Sequence, residues 1–309
     1  MSHEVETMFY TKREAPWHGL GVAVEDCLSS EEALFKAVLN WQVNKNPIYD
    51  QNGNKINGYA ANTRDSDNSI LGIVSDRYKI VQNTDAFAFT DALLDFNAKY
   101  ETAGSLRGGR TIWLLAKLPD YKILGDDVTN YLVFCNTHDG TGAVKVACVP
   151  TRVVCMNTLN LALNSAKRMW SAKHTGSITT KLNEARHTLE LAYDYMDGLS
   201  ETADVLANSK ISTDEIMKIL AEIFPLDEDA SDRQKNTVAK VKDEIMYCYV
   251  QPDIARFLGT KYGFINAVAD WCDHAEPQRN TADYQANNWG RIMNGHPVLD
   301  KAYELVTAK

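Results

Sequence analysis

Apolar and polar positions along the chain follow two different periods, and the change falls near residue 180. Before it, apolar residues come in short runs bounded by turn chemistry, which is the pattern of strands. WQVNKNPIY, the turn DQNGNKING, YAANTR and SILGIVSDRYKIVQ read as strand-like segments with their connections. KYETAGSL and RTIWLLAKL flank the tight loop Arg107-Gly108-Gly109-Arg110, a hairpin signal. NYLVFCN and AVKVACV flank His138-Asp139-Gly140, where Asp-Gly suits a type I′ turn. Ser29 with Glu32 forms a capping box ahead of EEALFKAVLNW, and Asn83 or Thr84 caps a helix over DAFAFTDALLDF. Met156, Leu159, Leu163, Ala166 and Trp170 carry helical spacing. The pattern predicts an α+β fold: a mainly antiparallel, twisted sheet with packed helices, followed by a helical C-terminal region.

From Leu182 the apolar positions run Leu182, Ala185, Leu189, Ala192, Met196, Leu199, Ala203 and Leu206, in alternating steps of three and four. That is a coiled-coil-grade seam. It serves either to pack the helix on its own domain or to associate two copies of the chain. Ser212 with Glu215, Ser231, and Pro297 at a first helical position announce further helices. The predicted organisation is therefore an α+β domain over 1–180 and an acidic helical domain over 181–309, the latter a possible oligomerisation region.

Charge sharpens that division. The 309-residue chain has a formal net charge of -9, yet residues 1–190 carry 20 basic and 21 acidic side chains. The deficit sits in 191–309, with 12 basic and 20 acidic. No apolar run approaches the ~18 residues that cross a bilayer, and the N-terminus lacks the apolar core of a secretion signal. A cytoplasmic protein with no membrane partner is expected. Six cysteines without a CxxC read as reduced core thiols. No GxGxxG follows a strand and no Walker loop is present, so no cofactor and no metal is expected.

Within the acidic chain, Gly140 to Asn183 holds Lys145, Arg152, Lys167, Arg168, Lys173 and Lys181 and not one carboxylate. Thr102 to Pro119 is also free of acid and holds Arg107, Arg110 and Lys117. Cationic loops from two hairpins and a helix end can line a groove that follows a nucleic-acid backbone, with Trp113 and Trp170 as stacking surfaces. A positive groove on an acidic protein is physically ordinary. The candidate interface is thus Arg107, Arg110, Lys117, Lys145, Arg152, Lys167, Arg168, Trp170 and Lys173. The competing reading is that Lys167 and Arg168 complement a helix C-terminus.

PWHGLG, GIVSDRYKIVQNTDAF, ETAGSLRGGRTIWLLAKLP, NTHDGTGA, TRVVCMNTLNLAL and GFINAVADWCDH together resemble the phage/plasmid-like protein family. Its members are prokaryotic, carry the uncharacterised domain numbered 932, and occur in phages, prophages and plasmids. The resemblance implies a bacterial host cytoplasm and no specific activity or catalytic residue. An antiparallel sheet crossed by helices, with a basic groove and a self-associating part, is similar in architecture to the single-strand annealing proteins of mobile elements. Single-stranded DNA binding in recombination or replication, by a homo-oligomer and without catalysis, is the leading expectation. One alternative is an anti-defence or regulatory protein whose acidic helical half binds a host protein. Another is a metal-dependent phosphoester hydrolase using His138 and Asp139, with Arg152, Cys155 and Asn157 nearby. His18 and the WCDH stretch read as a turn and a helix end.

Overall fold

The computed structural model describes residues 5–11, 22–24, 29–91, 98–152, 169–177, 188–274 and 295–308. His18, Cys27, Cys155, Asn157, Lys167 and Arg168 lie outside them. The strands are β1 (Val5–Thr11), β2 (Val22–Val24), β3 (Val43–Tyr49), β4 (Lys55–Arg64), β5 (Ile70–Ser75), β6 (Lys99–Leu106), β7 (Thr111–Lys117), β8 (Tyr121–Ile123), β9 (Asp126–Thr137), β10 (Val144–Arg152) and β11 (Met169–Ala172). The helices are α1 (Ser30–Lys36), α2 (Asn83–Thr90), α3 (Thr188–Asn208), α4 (Thr213–Ile223), α5 (Asp232–Tyr249), α6 (Lys261–His274) and α7 (Pro297–Thr307), with a 3-10 turn at Pro252–Phe257. The fold is α+β, with its helices concentrated after the sheets.

The strands form two sheets rather than one. The large sheet runs β11-β10-β9-β7-β6-β1-β2, with β8 added on β9, and the small sheet runs β3-β4-β5. β1 pairs with β2 in parallel, while β1–β6, β6–β7, β7–β9, β8–β9, β10–β11, β3–β4 and β4–β5 are antiparallel. Register places Ile112 opposite Asn136 and Ser105, and Leu114 opposite Phe134 and Ala103, on one face of the large sheet. Helices α1 and α2 cover this face. The Tyr100 hydroxyl, on the same face, meets Thr90 Oγ1 at 2.7 Å and donates to Asp91 Oδ1 at 3.1 Å. Asp91 in turn accepts from the Ser30 amide and hydroxyl at the start of α1. Leu39, Leu71, Phe87, Tyr100, Ile112, Leu114 and Phe134 fill the core, each almost wholly withdrawn from water.

The chain divides into two compact units, and the division is not a single cut. The first comprises Met1–Pro119, Tyr131–Cys148 and Met169–Ala192, and the second Asp120–Asn130, Val149–Arg168 and Tyr193–Lys309. In the second unit the β8–β9 turn is tied to the helices. The half-exposed Arg256 pairs with the buried Asp126 of the turn, and Tyr121 lies 6.4 Å from Tyr193 between ring centres. A 3.5-residue apolar period cannot report this, because the tie is made by side chains from a strand turn.

Several local expectations meet their physical counterparts. Ser29 caps α1 by accepting from the Glu32 amide at 3.2 Å. Ser212 and Ser231 form full capping boxes with Glu215 and Gln234, and Pro297 opens α7. WCDH ends α6. Other expectations are corrected. Trp170 lies on β11 opposite Val146, not on a helix. Of the two readings of the seam, burial of Ala192, Met196, Leu199, Ala203 and Leu206 within the single chain fits internal packing over that stretch, while Leu182 and Ala185 lie outside the described residues. Helix α2 begins at Asn83 itself, whose side chain bonds Leu39 O and the His138 ring.

Candidate nucleic-acid interface

Five strand ends of the large sheet converge at one edge of the first unit. Antiparallel register puts Leu106 beside Thr111, Thr111 beside Thr137, and Val144 beside Ala172. The loops leaving this edge are 107–110, 138–143 and 173–177. A fourth segment, 76–79, leaves β5 of the small sheet and joins them. Each pair of neighbours is stitched by specific bonds. The His138 amide donates to Arg110 O at 2.7 Å. The Tyr78 hydroxyl donates to Thr137 O at 2.5 Å. The Lys79 amide donates to His174 O at 2.7 Å, and His174 Nδ1 returns a bond to Lys79 O at 3.0 Å. Because a carbonyl only accepts, that ring nitrogen carries the proton. The His174 ring also stacks on Tyr78, with centres 4.5 Å apart and planes within 15°.

The 76–79 turn is held rigidly from below. Lys45 Nζ donates to the carbonyls of Ser75, Asp76 and Tyr78 at 3.1, 3.0 and 2.8 Å. Burial lowers its pKa, the Asp76 charge opposes that shift, and Lys79 adds to it. Gln82 pairs both the amide and the carbonyl of Val43 at the edge of β3, so the segment after the turn is anchored as well. On β5, a Cβ on Gly72 would come 2.5 Å from Asp139 Cα, and glycine is what lets the 138–143 loop seat there.

The polar chemistry beneath the loops centres on His138. Its ring is fully buried, and its Nε2 lies 2.9 Å from Asn83 Oδ1. Asn83 Nδ2 donates to Leu39 O at 2.9 Å, which fixes the amide orientation and leaves Oδ1 as the acceptor. His138 is therefore the Nε2–H tautomer. Burial, reinforced by the His174 charge, pushes its pKa down to about 3. The Asn62 side chain donates to the His138 carbonyl at 2.7 Å, and Trp41 meets the ring edge-on. Burial also raises the Tyr78 phenol far above its ordinary range, with the Asp139 charge adding to it. Asp139 Oδ1 accepts from the Thr141 amide at 2.9 Å and hydroxyl at 2.7 Å. This Asx turn, with Gly140 at φ +80°, makes the β9–β10 connection a six-residue loop in place of the expected type I′ turn. His138 thus acts as a neutral tie under the loops. Among the described residues, no three His, Cys, Asp or Glu side chains assemble as a metal site.

The surface carried by these loops is cationic. Arg77, Lys79, Arg107, Arg110 and Lys173 are exposed and Lys145 is half-buried, against the carboxylates of Asp76 and Asp139. Arg77, Lys79 and Arg110 enter no ion pair among the described residues. Arg107 adopts φ +54°, followed by Gly108 at +66° and Gly109 at +83°. A non-glycine residue in that left-handed conformation costs roughly 1 kcal/mol, and such outliers concentrate at functional sites. A Cβ on Gly108 or Gly176 would meet nothing within 4 Å, so both turns are open for backbone approach by a ligand.

The residues singled out from the sequence separate into two groups. Arg107, Arg110, Lys145 and Lys173 share the loop edge. Lys117 lies at the opposite end of β7, beside Lys99 and Tyr131, and Arg152 closes the far end of β10. Val144 and Arg152 are roughly 26 Å apart along an extended strand. Trp170 is half-buried partway along β11, and Trp113 is buried in β7. Arg77 and Lys79 were not among the sequence candidates. Their signal was two cations in the turn SDRYK, but an acidic residue in the same turn kept it out of the acid-free strips.

No curated protein and no solved structure matched the chain. The domain of unknown function DUF932 matches residues 70–292, which include all four loops and most of the helical region. The chain belongs to the DUF932 family.

Proposed function

We propose that the loop edge of the first unit binds the sugar–phosphate backbone of single-stranded DNA. In this reading the protein is a non-enzymatic binding or annealing factor of a phage, prophage or plasmid, acting in recombination or replication. One observation carries it: the cation-bearing segments 76–79, 107–110 and 173–177, up to about a hundred residues apart in sequence, are joined with the 138–143 loop and the Lys145 end of β10 into one edge. Six cations stand there against two carboxylates on a chain whose formal net charge is -9. Folding that much like charge together opposes stability, and a polyanion relieves it. The strained Arg107 and the open glycine turns support the same reading, since flexible backbone and exposed guanidinium groups suit phosphate approach.

Fluorescence polarisation of a labelled 30-nucleotide oligothymidylate across a salt series tests it. Four to six phosphate contacts give a log affinity against log salt slope of roughly -3 to -4, at about -0.7 per contact. Affinity that does not change with salt, or no binding at low salt, overturns the proposal.

A further inference from the structure

The outer face of the small sheet is an exposed apolar surface, and the loop edge does not account for it. Antiparallel register places Ala61 between Asn46 and Ile73, and Thr63 between Asn44 and Ile70. Tyr59, two residues along β4, shares their face, as does Ser75 opposite it. Asn46 Nδ2 donates across this face to Thr63 Oγ1 at 2.7 Å. Tyr59 is 54% exposed, Ile70 59% and Ile73 51%, an unusual density of large apolar side chains in water. Over the stretch of β4 paired with β5, from Tyr59 to Thr63, the face carries no charged side chain. Lys45 and Arg64 alternate to the other side, where Lys45 grips the 75–78 turn. The polar groups that remain are amides and hydroxyls, which can pair with the edges of nucleobases.

We infer that this face is a platform for unpaired bases, with Tyr59 and Ile73 as its stacking surface. The inference rests on the proposed binding of single-stranded DNA and names where its bases lie. Two features select bases over other occupants. The first is continuity with the loop edge. Tyr59 pairs with Ser75 at the end of β5, and the chain reaches Arg77 two residues and Lys79 four residues beyond that position. A strand whose phosphates follow those cations therefore has its bases beside Tyr59. The second is charge. An uncharged, partly aromatic sheet face next to a row of cations reproduces the division between a single strand's bases and its phosphates.

The test compares two labelled 20-mers with the same phosphates: oligothymidylate, and an abasic oligomer of tetrahydrofuran units. The intact protein is expected to prefer the thymidylate on the order of tenfold, in line with stacking of one or two bases. Tyr59→Ala with Ile73→Ser is expected to abolish that preference while abasic binding and its salt slope stay unchanged. Tyr59→Phe is expected to retain it. Both altered side chains are more than half exposed, so the fold tolerates the changes. Equal affinity of the intact protein for the two oligomers overturns the platform and leaves phosphate binding standing. Preference that survives in the double variant also overturns it. Light scattering run in parallel covers the rival occupant: if the double variant dissociates a dimer and keeps its base preference, the face holds a second copy of the chain. If neither oligomer binds at low salt, the platform and the proposed function both fail.

Discussion

Reversing both arginines of the β6–β7 turn, Arg107→Glu with Arg110→Glu, is expected to weaken binding of single-stranded oligonucleotide by on the order of 100-fold near 0.1 M salt. The log–log salt slope should fall by about 1.4, because two phosphate contacts are lost at roughly 0.7 each. Arg77→Glu with Lys79→Glu should do the same from the other side of the edge, since the 76–79 turn is locked to His174 and Thr137 by direct bonds. Lys117→Glu is the control. It lies at the far end of β7, and the prediction is a change of less than about threefold, all of it long-range charge that salt screens. Equal losses from Lys117→Glu and from the turn arginines would mean a diffuse electrostatic attraction, not a site.

Mild acid is expected to destabilise the first unit through His138. The folded pKa of about 3 lies below the ordinary 6.5, so the unfolded chain takes up the proton first as pH falls. The stability that His138 contributes in its neutral form is complete above about pH 6.5 and drains away as pH drops towards 3. The slope is about 1.4 kcal/mol per pH unit, or roughly 2 kcal/mol between pH 6.5 and 5. For a unit of this size the thermal midpoint should fall by roughly 4–8 °C over that interval. His138→Gln replaces the buried Nε2–H donor to Asn83 with an amide that does not titrate. The variant is expected to start from a lower midpoint and to lose most of the acid sensitivity. A pH slope that matches the parent would remove His138 as its source. Since the loops hang on this residue's amide and carbonyl, oligonucleotide binding should weaken at the same pH at which the midpoint drops.

What was legible in the sequence was local. Capping by Ser29, Ser212 and Ser231 involves side chains three residues from their partners, so the chain's own spacing reports it. The β6–β7 hairpin was legible because two glycines between two alternating runs leave few other conformations. What failed was anything set by partners far along the chain. Trp170 continued a helical stripe by spacing, yet β11 is recruited by β10 over Val144 to Ala147, and that pairing overrides local period. Asn83 looked like a helix cap, but His138, 55 residues on, takes its side chain. The part of the seam within the described residues, Ala192 to Leu206, is one apolar stripe, as its period implies. Period alone does not say whether its partner belongs to the same chain, and burial of Met196 and Leu199 fits internal packing over that stretch.

The candidate site was half legible for the same reason. An acid-free strip identifies cations but not which of them meet. Among the described residues of the strip from Gly140 to Asn183, β10 runs out from Val144 to Arg152 and β11 pairs with it antiparallel, so opposite ends of the strands carry Lys145, Arg152 and Lys173. Lys145 and Lys173 come together because Val144 pairs with Ala172. Arg152 is carried to the other edge by the length of β10. Arg77 and Lys79 arrive from a different sheet altogether, through the stacked Tyr78 and His174 rings. Only strand order and register supply that arrangement.

Hydrogen–deuterium exchange with and without a saturating 30-nucleotide oligothymidylate addresses the shared edge directly. Slowed exchange is predicted in all four segments, 76–79, 107–110, 138–143 and 173–177, while α4, α5 and α7 are unchanged. Protection confined to the helical second unit, or to one of the four segments alone, would contradict the claim that they form a single phosphate-binding surface.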